Sequence, residues 1–420
     1  MKYFPRIIDK TIKEELEAFG AVLIVGPKWC GKTTSAEQLA KSKIYLQDED
    51  MRDQYLQTAD IMPSRLLVGE NPRLIDEWQD APKLWGAIRY DIDKRNQEGL
   101  YILTGSVTVD DDSIIHSGTG RISRVNMRTM TLYEQGKSTG DISFLNLFGN
   151  EKVDINSESK LSIDDLSVAI VTGGWPKSLG KSESIALKQI AGYSESIIKT
   201  EIKLIDGTER DENKAYAILR SLARNTASQA TNTKILADVT SKYENMHLNT
   251  LVDYIKTFKK IFVIEDLPAW SPFLRSKTTI RVSDTRHFVD PAIAAYFLGA
   301  TSEDLKNDWK TFGNLFESLV IRDLRVYAQA NNGKVYHYRD KNELEVDAII
   351  HLNNGKWGAV EIKLGSSDID KAALNLLKLK EKIDIDKMRE PSFLMVVTGT
   401  KYAYKRDDGV LVVPIGCLKD

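Results

Sequence analysis

Residues 21–34 constrain the fold of this 420-residue chain more strongly than any other stretch. The apolar run from Ala21 to Val25 predicts a buried strand of a parallel sheet. That run leads directly into Gly26-Pro-Lys-Trp-Cys-Gly-Lys-Thr33, and a helix is predicted from about Thr34 to Lys41. A strand, a glycine-bounded loop and a helix in this order are typical of a loop that binds phosphate groups.

The chemistry of this loop explains its spacing. Gly26 and Gly31 let the backbone pass close to a polyphosphate, with N–H groups facing inward at the start of a helix whose dipole favours anions. Lys32 would place an ammonium between the β- and γ-phosphates, and the Thr33 hydroxyl would bind Mg²⁺. The sequence has no Asn-Lys-x-Asp signal for guanine, so ATP is the expected nucleotide. The expected cofactor-binding residues are Gly26, Pro27, Lys28, Trp29, Cys30, Gly31, Lys32, Thr33 and Thr34.

Two adjacent carboxylates end the apolar strand that begins at Arg73, where a second nucleotide motif should stand. Asp76 is expected to hold Mg²⁺ together with Thr33, because a hard cation bound to phosphates needs oxygen ligands. Glu77 would polarise a water molecule for attack on the γ-phosphate. At the end of the next buried strand, Thr104 either orients that water or senses the γ-phosphate, or it caps the following turn.

Three arginines lie just before or on the next predicted strand. One of Arg121, Arg124 and Arg128 is expected to act as an arginine finger, on the nucleotide of its own chain or of a neighbouring subunit. Arg121 is our first choice, and the other two are assigned to the solvated surface. The expected catalytic residues are therefore Glu77, Lys32, Arg121 and Thr104, and the expected metal ligands are Thr33 and Asp76.

Strands alternate with helices through the first domain, which we place at residues 1–150. Further strands are predicted at 43–46, 73–78, 100–106 and 123–132, and helices at 10–19, 63–69 and 82–97. Such alternation predicts a parallel sheet covered by helices on both faces. From 141 to 160 the chain becomes polar and loses its periodicity, which indicates a boundary or an inserted loop.

The middle region, 161–300, is predicted to be mostly helical. Helices are expected at 163–172, 182–203, 214–229, 234–243 and 249–260, followed by strands at 261–265 and 279–282. Three short helices followed by a β-hairpin is the order of a winged helix. Between Asn213 and Ser283 eleven Lys and Arg stand against five Asp and Glu, a local balance of +6 that suits contact with DNA phosphates. The basic residues nearest the expected recognition helix and wing are Lys256, Lys259, Lys260, Arg275, Lys277 and Arg281.

The last region, 301–420, carries a second group of charged residues. A helix is predicted at 309–331 and another at 368–383, with strands at 334–338, 345–351, 358–364 and 392–398. Alternation along two strands joined by a short turn lets Asp347, Glu361 and Lys363 face one side. Two carboxylates can hold a divalent cation beside a scissile phosphate, while a lysine activates water or stabilises the developing negative charge.

The motifs of the first region resemble those of AAA-type ATPases of the P-loop superfamily. Leu74-Ile-Asp-Glu-Trp-Gln79, Ile102-Leu-Thr-Gly-Ser106 and Gly120-Arg121 are similar to motifs of an archaeal and bacterial branch. In that branch the ATPase is fused to a winged helix and a restriction-endonuclease-like domain. The resemblance implies a phosphate-loop strand at the centre of its sheet and nucleotide sites shared between subunits of a homo-oligomer.

The charged residues of the last region resemble the PD-(D/E)XK nuclease signature, here without its proline. Asp347, Glu361 and Lys363 stand at its matching positions, and Glu317, on the preceding helix, matches an additional acidic residue of many such domains. The resemblance implies an α/β restriction-endonuclease-like fold for this region. It also implies a second divalent cation, in a fold that is often kept only as a binding scaffold.

The composition agrees with an ordinary globular protein of two to four domains, with 42% hydrophobic and 28% charged residues. Cys30 and Cys417 lack metal-type spacing, which favours a reducing cytoplasm. The N-terminus has no apolar signal-peptide core, and no uncharged run approaches about 18 residues. We therefore expect a cytoplasmic protein that neither spans nor enters a membrane.

One function is expected from these residues, with two alternatives. The expected protein is a Mg²⁺-dependent ATPase whose nucleotide state controls the winged-helix and nuclease-like regions on DNA. One alternative is a metal-dependent DNA nuclease in which ATP binding only permits cleavage. The other is an ATP-driven signalling or scaffold switch that involves no DNA.

Overall fold

The computed structural model describes residues 3–107, 118–149, 153–202, 208, 210–241, 246–272, 283–384 and 388–420. The chain divides into two compact units. The first comprises Met1–Thr129 and Lys260–Phe262, and the second comprises Met130–Lys259 and Val263–Asp420.

The first unit contains a parallel sheet with helices on both faces. Its strands are β1 (Ala21–Val25), β2 (Ser42–Tyr45), β3 (Arg73–Asp76), β4 (Tyr101–Gly105) and β5 (Ile122–Asn126). Its α-helices are α1 (Ile8–Ala18), α2 (Lys32–Glu37), α3 (Arg52–Ile61) and α4 (Lys83–Arg95). The strand order β2-β3-β4-β1-β5 places β1 inside the sheet, paired in parallel with β4 on one side and β5 on the other.

Alternate residues of β1 are buried on opposite faces of this sheet. Leu23 packs in the apolar cluster that contains Trp85 of α4, whereas Ile24 packs in the cluster that contains Ile12 of α1. A strand with both faces covered must be apolar at every position, which explains the continuous run from Ala21 to Val25. The predicted parallel sheet with flanking helices is therefore confirmed.

Some predicted bounds in this unit were wrong. The helix expected at 63–69 is a 3₁₀-helix at Pro63–Leu67, and α3 before it was not predicted, because Ala59 is its one fully buried residue and its apolar periodicity is weak. Helix α2 begins two residues earlier than expected. Strand β5 ends at Asn126 and not at 132, because its partner strand β1 ends at Val25, the residue that pairs with Asn126.

The second unit combines helices with a mixed sheet. Its α-helices are α5 (Ile163–Thr172), α6 (Glu183–Ser196), α7 (Glu212–Arg224), α8 (Asn232–Thr240), α9 (Leu248–Lys260, of which all but the last residue belong to this unit), α10 (Pro291–Leu298), α11 (Ser302–Asn307), α12 (Trp309–Ala330) and α13 (Ile369–Lys382). The single helix expected from 182 to 203 continues after α6 as a π-helical turn, Ile197–Glu201. Helices α10 and α11 were not predicted.

After α9 the backbone forms two isolated antiparallel bridges instead of the strand expected at 261–265. They join Ile264 with Phe288 and Leu267 with Thr285. The strand expected at 279–282 lies outside the described residues.

The main sheet of the second unit has the strand order β7-β12-β13-β11-β10-β9-β8. Helix α12 packs against β8, and α13 packs against β10 and β11. A smaller sheet pairs β6 with β14, and the short strands β6 and β7 both come from the polar stretch at 141–160. The strands are β6 (Ile142–Ser143), β7 (Ser157–Glu158), β8 (Gly333–Arg339), β9 (Glu345–Leu352), β10 (Trp357–Lys363), β11 (Leu394–Thr398), β12 (Tyr402–Lys405), β13 (Leu411–Pro414) and β14 (Leu418–Lys419).

Among the residues that the structure describes, no helix combines the length and the apolar character needed to cross a lipid bilayer.

Candidate functional site

The loop between β1 and α2 follows a path that requires glycine at its start. At Gly26, φ is +153°, and a Cβ atom there would lie 2.0 Å from the carbonyl oxygen of Met127. Gly31 adopts φ 105° directly before α2, a conformation that L-residues other than glycine rarely adopt. Trp29 also has a positive φ of 66°, and 52% of its surface is exposed. Trp29 is thus an exposed residue in a loop whose Gly26, Pro27 and Cys30 are buried.

Lys32 is buried within this loop, and only 5% of its surface is exposed. Its Nζ atom donates hydrogen bonds to the carbonyl oxygens of Gly26, at 2.9 Å, and Pro27, at 3.0 Å. The ammonium therefore lies across the loop, within reach of any phosphate bound there. The remaining loop residues predicted to contact the cofactor are Lys28, which is half-buried, Cys30, which is buried, and Thr34, which is exposed.

Asp76, at the carboxyl end of β3, is held by two threonine hydroxyls. Thr33 Oγ1 donates to Asp76 Oδ1 at 2.7 Å, and Thr104 Oγ1 donates to the same oxygen at 2.6 Å. Burial raises the pKa of Asp76 above its ordinary value, and the two hydrogen bonds partly oppose that rise. The structure thus brings the two predicted metal ligands, Thr33 and Asp76, into direct contact.

Glu77 adopts a left-handed backbone conformation, φ 53° and ψ 49°, which costs a non-glycine residue about 1 kcal/mol. Its N–H donates to Thr104 Oγ1 at 3.2 Å, so Thr104 contacts both acidic residues. The Glu77 carboxylate accepts hydrogen bonds from Ser106 Oγ, at 3.1 Å, and from Gln79 Nε2. Gln79 and Ser106 are the last residues of the motifs at 74–79 and 102–106, but no role was predicted for either. Their polar side chains beside Glu77 and just beyond β4 were the available signal.

Arg121 hydrogen-bonds to residues outside the phosphate loop. Its Nε atom donates to Asp93 Oδ1 at 2.8 Å, and its Nη1 atom donates to the carbonyl oxygen of Thr119 at 3.2 Å. About 45% of its side chain is exposed. Arg124 places its guanidinium 5.8 Å from the ring centre of Trp85. Within its own chain, Arg121 is thus engaged with α4, and its role as a finger stays a prediction.

A second charged constellation lies in the second unit, on the antiparallel strands β9 and β10. The register pairs Val360 with Ala348, and Glu361 and Asp347 are the next residues of the two strands. Lys363 Nζ lies 2.8 Å from Asp347 Oδ2 and 2.7 Å from Glu361 Oε2. The structure therefore brings together the three side chains that alternation predicted to share a face.

Burial perturbs this constellation strongly. Burial, and then the Asp347 carboxylate, raise the pKa of Glu361 above its ordinary value, and the same two causes raise that of Glu317 on α12. Burial alone would lower the pKa of Lys363, but Asp347 and Glu361 outweigh it, and the pKa rises. Asn375 of α13 donates to Glu361 Oε1 at 3.4 Å, a contact that sequence reasoning missed.

The oxygen donors at both sites suit hard divalent cations. A hydroxyl and a carboxylate at Thr33 and Asp76 fit Mg²⁺, which usually completes its shell with phosphate oxygens and water. Asp347 and Glu361 supply two carboxylates at the second site. Within the described part of the chain, no three His, Cys, Asp or Glu side chains form a group that could hold a metal ion. Each site would therefore need ligands from its substrate or from water.

Family comparisons cover three separate parts of the chain. The family model described as an AAA domain matches residues 18–135, which include the phosphate loop, Asp76 and Glu77. Residues 18–135 are thus similar to an AAA domain. Models described as domains of unknown function match residues 163–304 (DUF8612) and 312–418 (DUF4143). No curated protein matches the chain.

Solved structures similar to the chain are distant from it in sequence. A Walker-type ATPase of Pyrococcus abyssi is 14% identical, with a TM-score of 0.44, over 70% of this chain and 96% of that one. The replication initiator DnaA bound to AMPPCP and single-stranded DNA is 13% identical, with a TM-score of 0.28, over 62% of this chain and 89% of that one. Likeness at this level does not transfer a function.

Proposed function

We propose that the AAA domain binds ATP with Mg²⁺ and hydrolyses it, and that Lys32, Thr33, Asp76 and Glu77 carry the reaction. The observation that carries this proposal is the 2.7 Å hydrogen bond between Thr33 and Asp76, because it places two oxygen ligands for Mg²⁺ beside the phosphate loop. The AAA domain match over residues 18–135 supports the same nucleotide.

The chain's own residues would then act as follows. The Lys32 ammonium exchanges the carbonyls of Gly26 and Pro27 for phosphate oxygens, while the loop amides donate to the same phosphates. Glu77 takes a proton from the attacking water as general base. Thr104 holds the backbone at Glu77 and the carboxylate of Asp76, so one hydroxyl fixes the relative positions of base and metal ligand.

Two substitutions with matched controls test this proposal. Lys32→Ala is expected to abolish ATP binding in calorimetry with Mg²⁺, whereas Lys41→Ala, an exposed lysine of the same unit, should bind as wild type. Glu77→Gln should bind ATP but turn it over about 100-fold more slowly or worse, since a general base contributes roughly that much. The control is Glu98→Gln, which alters an exposed carboxylate. Turnover by Glu77→Gln at the wild-type rate would refute the base assignment.

A second activity is favoured by a separate observation. The position of Lys363 between Asp347 and Glu361 suits the cleavage of a phosphodiester bond by water, with the carboxylates as cation ligands and the ammonium beside the developing charge. Glu317 would add a further carboxyl group. We propose that residues 301–420 are a restriction-endonuclease-like domain with this site.

Plasmid cleavage tests the nuclease proposal. Wild-type protein with Mg²⁺ or Mn²⁺ should nick or linearise plasmid DNA, and Asp347→Ala and Lys363→Ala should not. Lys371→Ala, an exposed lysine of α13, is the matched control. Cleavage that persists in Lys32→Ala would show that ATP is not required. If plasmid stays intact with wild-type protein and either cation, the proposed nuclease activity is refuted.

We further propose that α7, α8 and α9 with the two bridges after them form a winged helix within residues 161–300, and that it contacts DNA. Lys256 is exposed at α9, whereas Lys259 is paired with Asp266 at 2.8 Å. The predicted contacts Arg275, Lys277 and Arg281 lie outside the described residues. Binding of duplex DNA should be measurable at low salt and weaken steeply as salt rises. If low-salt binding fails, a signalling or scaffold switch without DNA is the better account.

The remaining parts of the proposal concern the whole protein. We propose three domains, at residues 1–150, 161–300 and 301–420, and the separate spans of the three family models, 18–135, 163–304 and 312–418, support this division. We propose a cytoplasmic homo-oligomer in which Arg121 acts on a neighbour's nucleotide. In support, the Arg121 side chain is 45% exposed, and within its own chain it hydrogen-bonds to Asp93 and Thr119 and not to the phosphate loop. Arg121→Ala should then lower turnover only under conditions in which the protein is an oligomer.

A further inference from the structure

The segment before α1 contributes a side chain that hydrogen-bonds to the backbone of the phosphate loop. Arg6, in this segment, is 7% exposed. Its Nη1 atom donates to the carbonyl oxygen of Cys30 at 2.7 Å, and its Nη2 atom donates to the carbonyl oxygen of Arg128 at 2.8 Å. One guanidinium therefore joins two backbone segments that are far apart in sequence.

The first of these contacts fixes a peptide inside the loop. The Cys30 carbonyl belongs to the same planar trans peptide as the N–H of Gly31, so the two groups point in opposite directions. When Arg6 holds the carbonyl on its own side, the Gly31 amide is directed to the other side of the loop. In a phosphate-binding loop, amides at this position face the bound anion.

The second contact supports the start of the loop. Arg128 follows Met127, whose N–H donates to the Val25 carbonyl at 2.8 Å and whose own carbonyl lies against Gly26. Arg6 donates to the carbonyl of Arg128, the residue after Met127. It therefore links the backbone segment beside Gly26 with the end of the loop at Cys30. One side chain thus contacts the end of the loop directly and, through the Arg128 carbonyl, the backbone segment that lies beside its start.

The segment itself is anchored on α1 and α2. The Arg6 N–H donates to Asp9 Oδ2 at 2.8 Å, and the Tyr3 hydroxyl hydrogen-bonds to the same oxygen and, at 3.0 Å, to Ser35 Oγ of α2. Arg6 is therefore fixed before any ligand arrives. A preset donor requires little rearrangement when the nucleotide binds.

We propose that Arg6 is a positioning residue for the nucleotide, which aims the Gly31 amide at the phosphates by holding the Cys30–Gly31 peptide. Arg6 touches backbone carbonyls and acts through the loop. This inference rests on the proposed ATPase function, because it assigns the residue to the same site. Amides that bind phosphate equally in the ground state and the transition state affect KM more than kcat.

Steady-state kinetics with ATP separate this role from general stability. Arg6→Ala is expected to raise KM by about tenfold, the value of roughly one charge-assisted hydrogen bond, with kcat within about threefold of wild type. Arg6→Lys should give an intermediate KM, because one ammonium cannot span two carbonyls as a guanidinium does. Millimolar methylguanidinium should restore part of the loss in Arg6→Ala and none in Lys32→Ala. Arg52→Ala, an exposed arginine of α3, is the matched control.

The outcomes distinguish this inference from the proposed function. If wild-type protein neither binds nor hydrolyses ATP, the ATPase proposal itself fails. If wild type is active and folded Arg6→Ala keeps the wild-type KM, only the role of Arg6 is overturned. Should Arg6→Ala not fold, Arg6→Lys decides: a wild-type KM overturns the role, and a raised KM with unchanged kcat supports it.

Discussion

Thr33 and Asp76 are joined by a hydrogen bond of 2.7 Å between the threonine hydroxyl and one carboxylate oxygen. Thr33 is the second residue of α2, and Asp76 ends β3, which is separated from β1 by β4. The carboxyl ends of parallel strands meet at one edge of a sheet, where open α/β folds bind their ligands. The strand order therefore brings the residues of two sequence motifs together in one site.

Thr104→Val is expected to slow ATP turnover by about tenfold while ATP still binds. The buried hydroxyl donates to Asp76 at 2.6 Å and accepts the N–H of Glu77. Its loss removes this acceptor from the Glu77 N–H and leaves Asp76 Oδ1 with the Thr33 hydroxyl alone, at a cost of about 1–3 kcal/mol. Turnover and calorimetric Kd should be measured side by side. Thr104→Ser keeps the hydroxyl and should restore most of the rate; an equally slow serine variant would contradict this explanation.

Gly26→Ala is expected to weaken ATP binding by about 100-fold or more, on the order of 3 kcal/mol or more. A Cβ atom at this position would lie 2.0 Å from a backbone oxygen of Met127, so the loop or β5 must move. The control is Gly86→Ala on α4, where a Cβ would meet no atom within 4 Å and the helix should gain stability. Calorimetry with ATP and Mg²⁺ measures both variants. Normal binding by Gly26→Ala would show that the loop has room to adjust.

Arg322→Met is expected to destabilise the second unit by about 3–5 kcal/mol, the usual cost of an uncompensated buried charge. Arg322 lies between Asp290 and Asp323, and the three side chains are 1%, 0% and 0% exposed. Burial raises the pKa of Asp323 to about 6 despite this partner. Urea unfolding followed by circular dichroism measures the change. Arg339→Met, which breaks the exposed pair with Glu345, should cost less than about 1 kcal/mol.

The second unit is expected to lose stability as pH falls from about 6.5 to about 4. Burial lowers the pKa of His337 to about 4 and that of His287 well below its ordinary value. The unfolded chain therefore binds protons that the folded chain excludes, so each histidine contributes stability above pH 6.5 that disappears as pH drops. For His337 alone the loss is on the order of 3 kcal/mol.

Melting temperatures across this pH range test the histidine prediction. His337→Gln cannot titrate, so its melting temperature should fall less between pH 7 and pH 4.5 than that of wild type. His247→Gln changes an exposed histidine and should follow the wild-type curve. If the melting temperatures of all three proteins fall in parallel, groups other than His337 cause the loss of stability at acid pH.

Local patterns predicted the elements that carry the chemistry. The phosphate loop was recognised because its strand, glycines and helix are consecutive in the chain. The hairpin of Asp347 and Glu361 was recognised because side chains alternate along a strand and Gly355, with φ 82°, permits the short turn. Predicted bounds were wrong where the apolar pattern is weak, as in α3, or where the partner strand ends first, as β1 does beside Asn126 of β5.

The sequence by itself determined which residue types could bind phosphate and metal, because motif spacing and side-chain chemistry are properties of neighbours in the chain. The tertiary structure alone decided which distant groups contact them: Arg6 at the Cys30 carbonyl, and Thr104 between Asp76 and Glu77. It also decided that Arg121 pairs with Asp93, away from the phosphate loop. Such contacts depend on strand order and on directions of side chains that are far apart in sequence. A pattern of neighbouring residues does not predict these contacts. Folding into a sheet brings the distant side chains within hydrogen-bonding distance of one another.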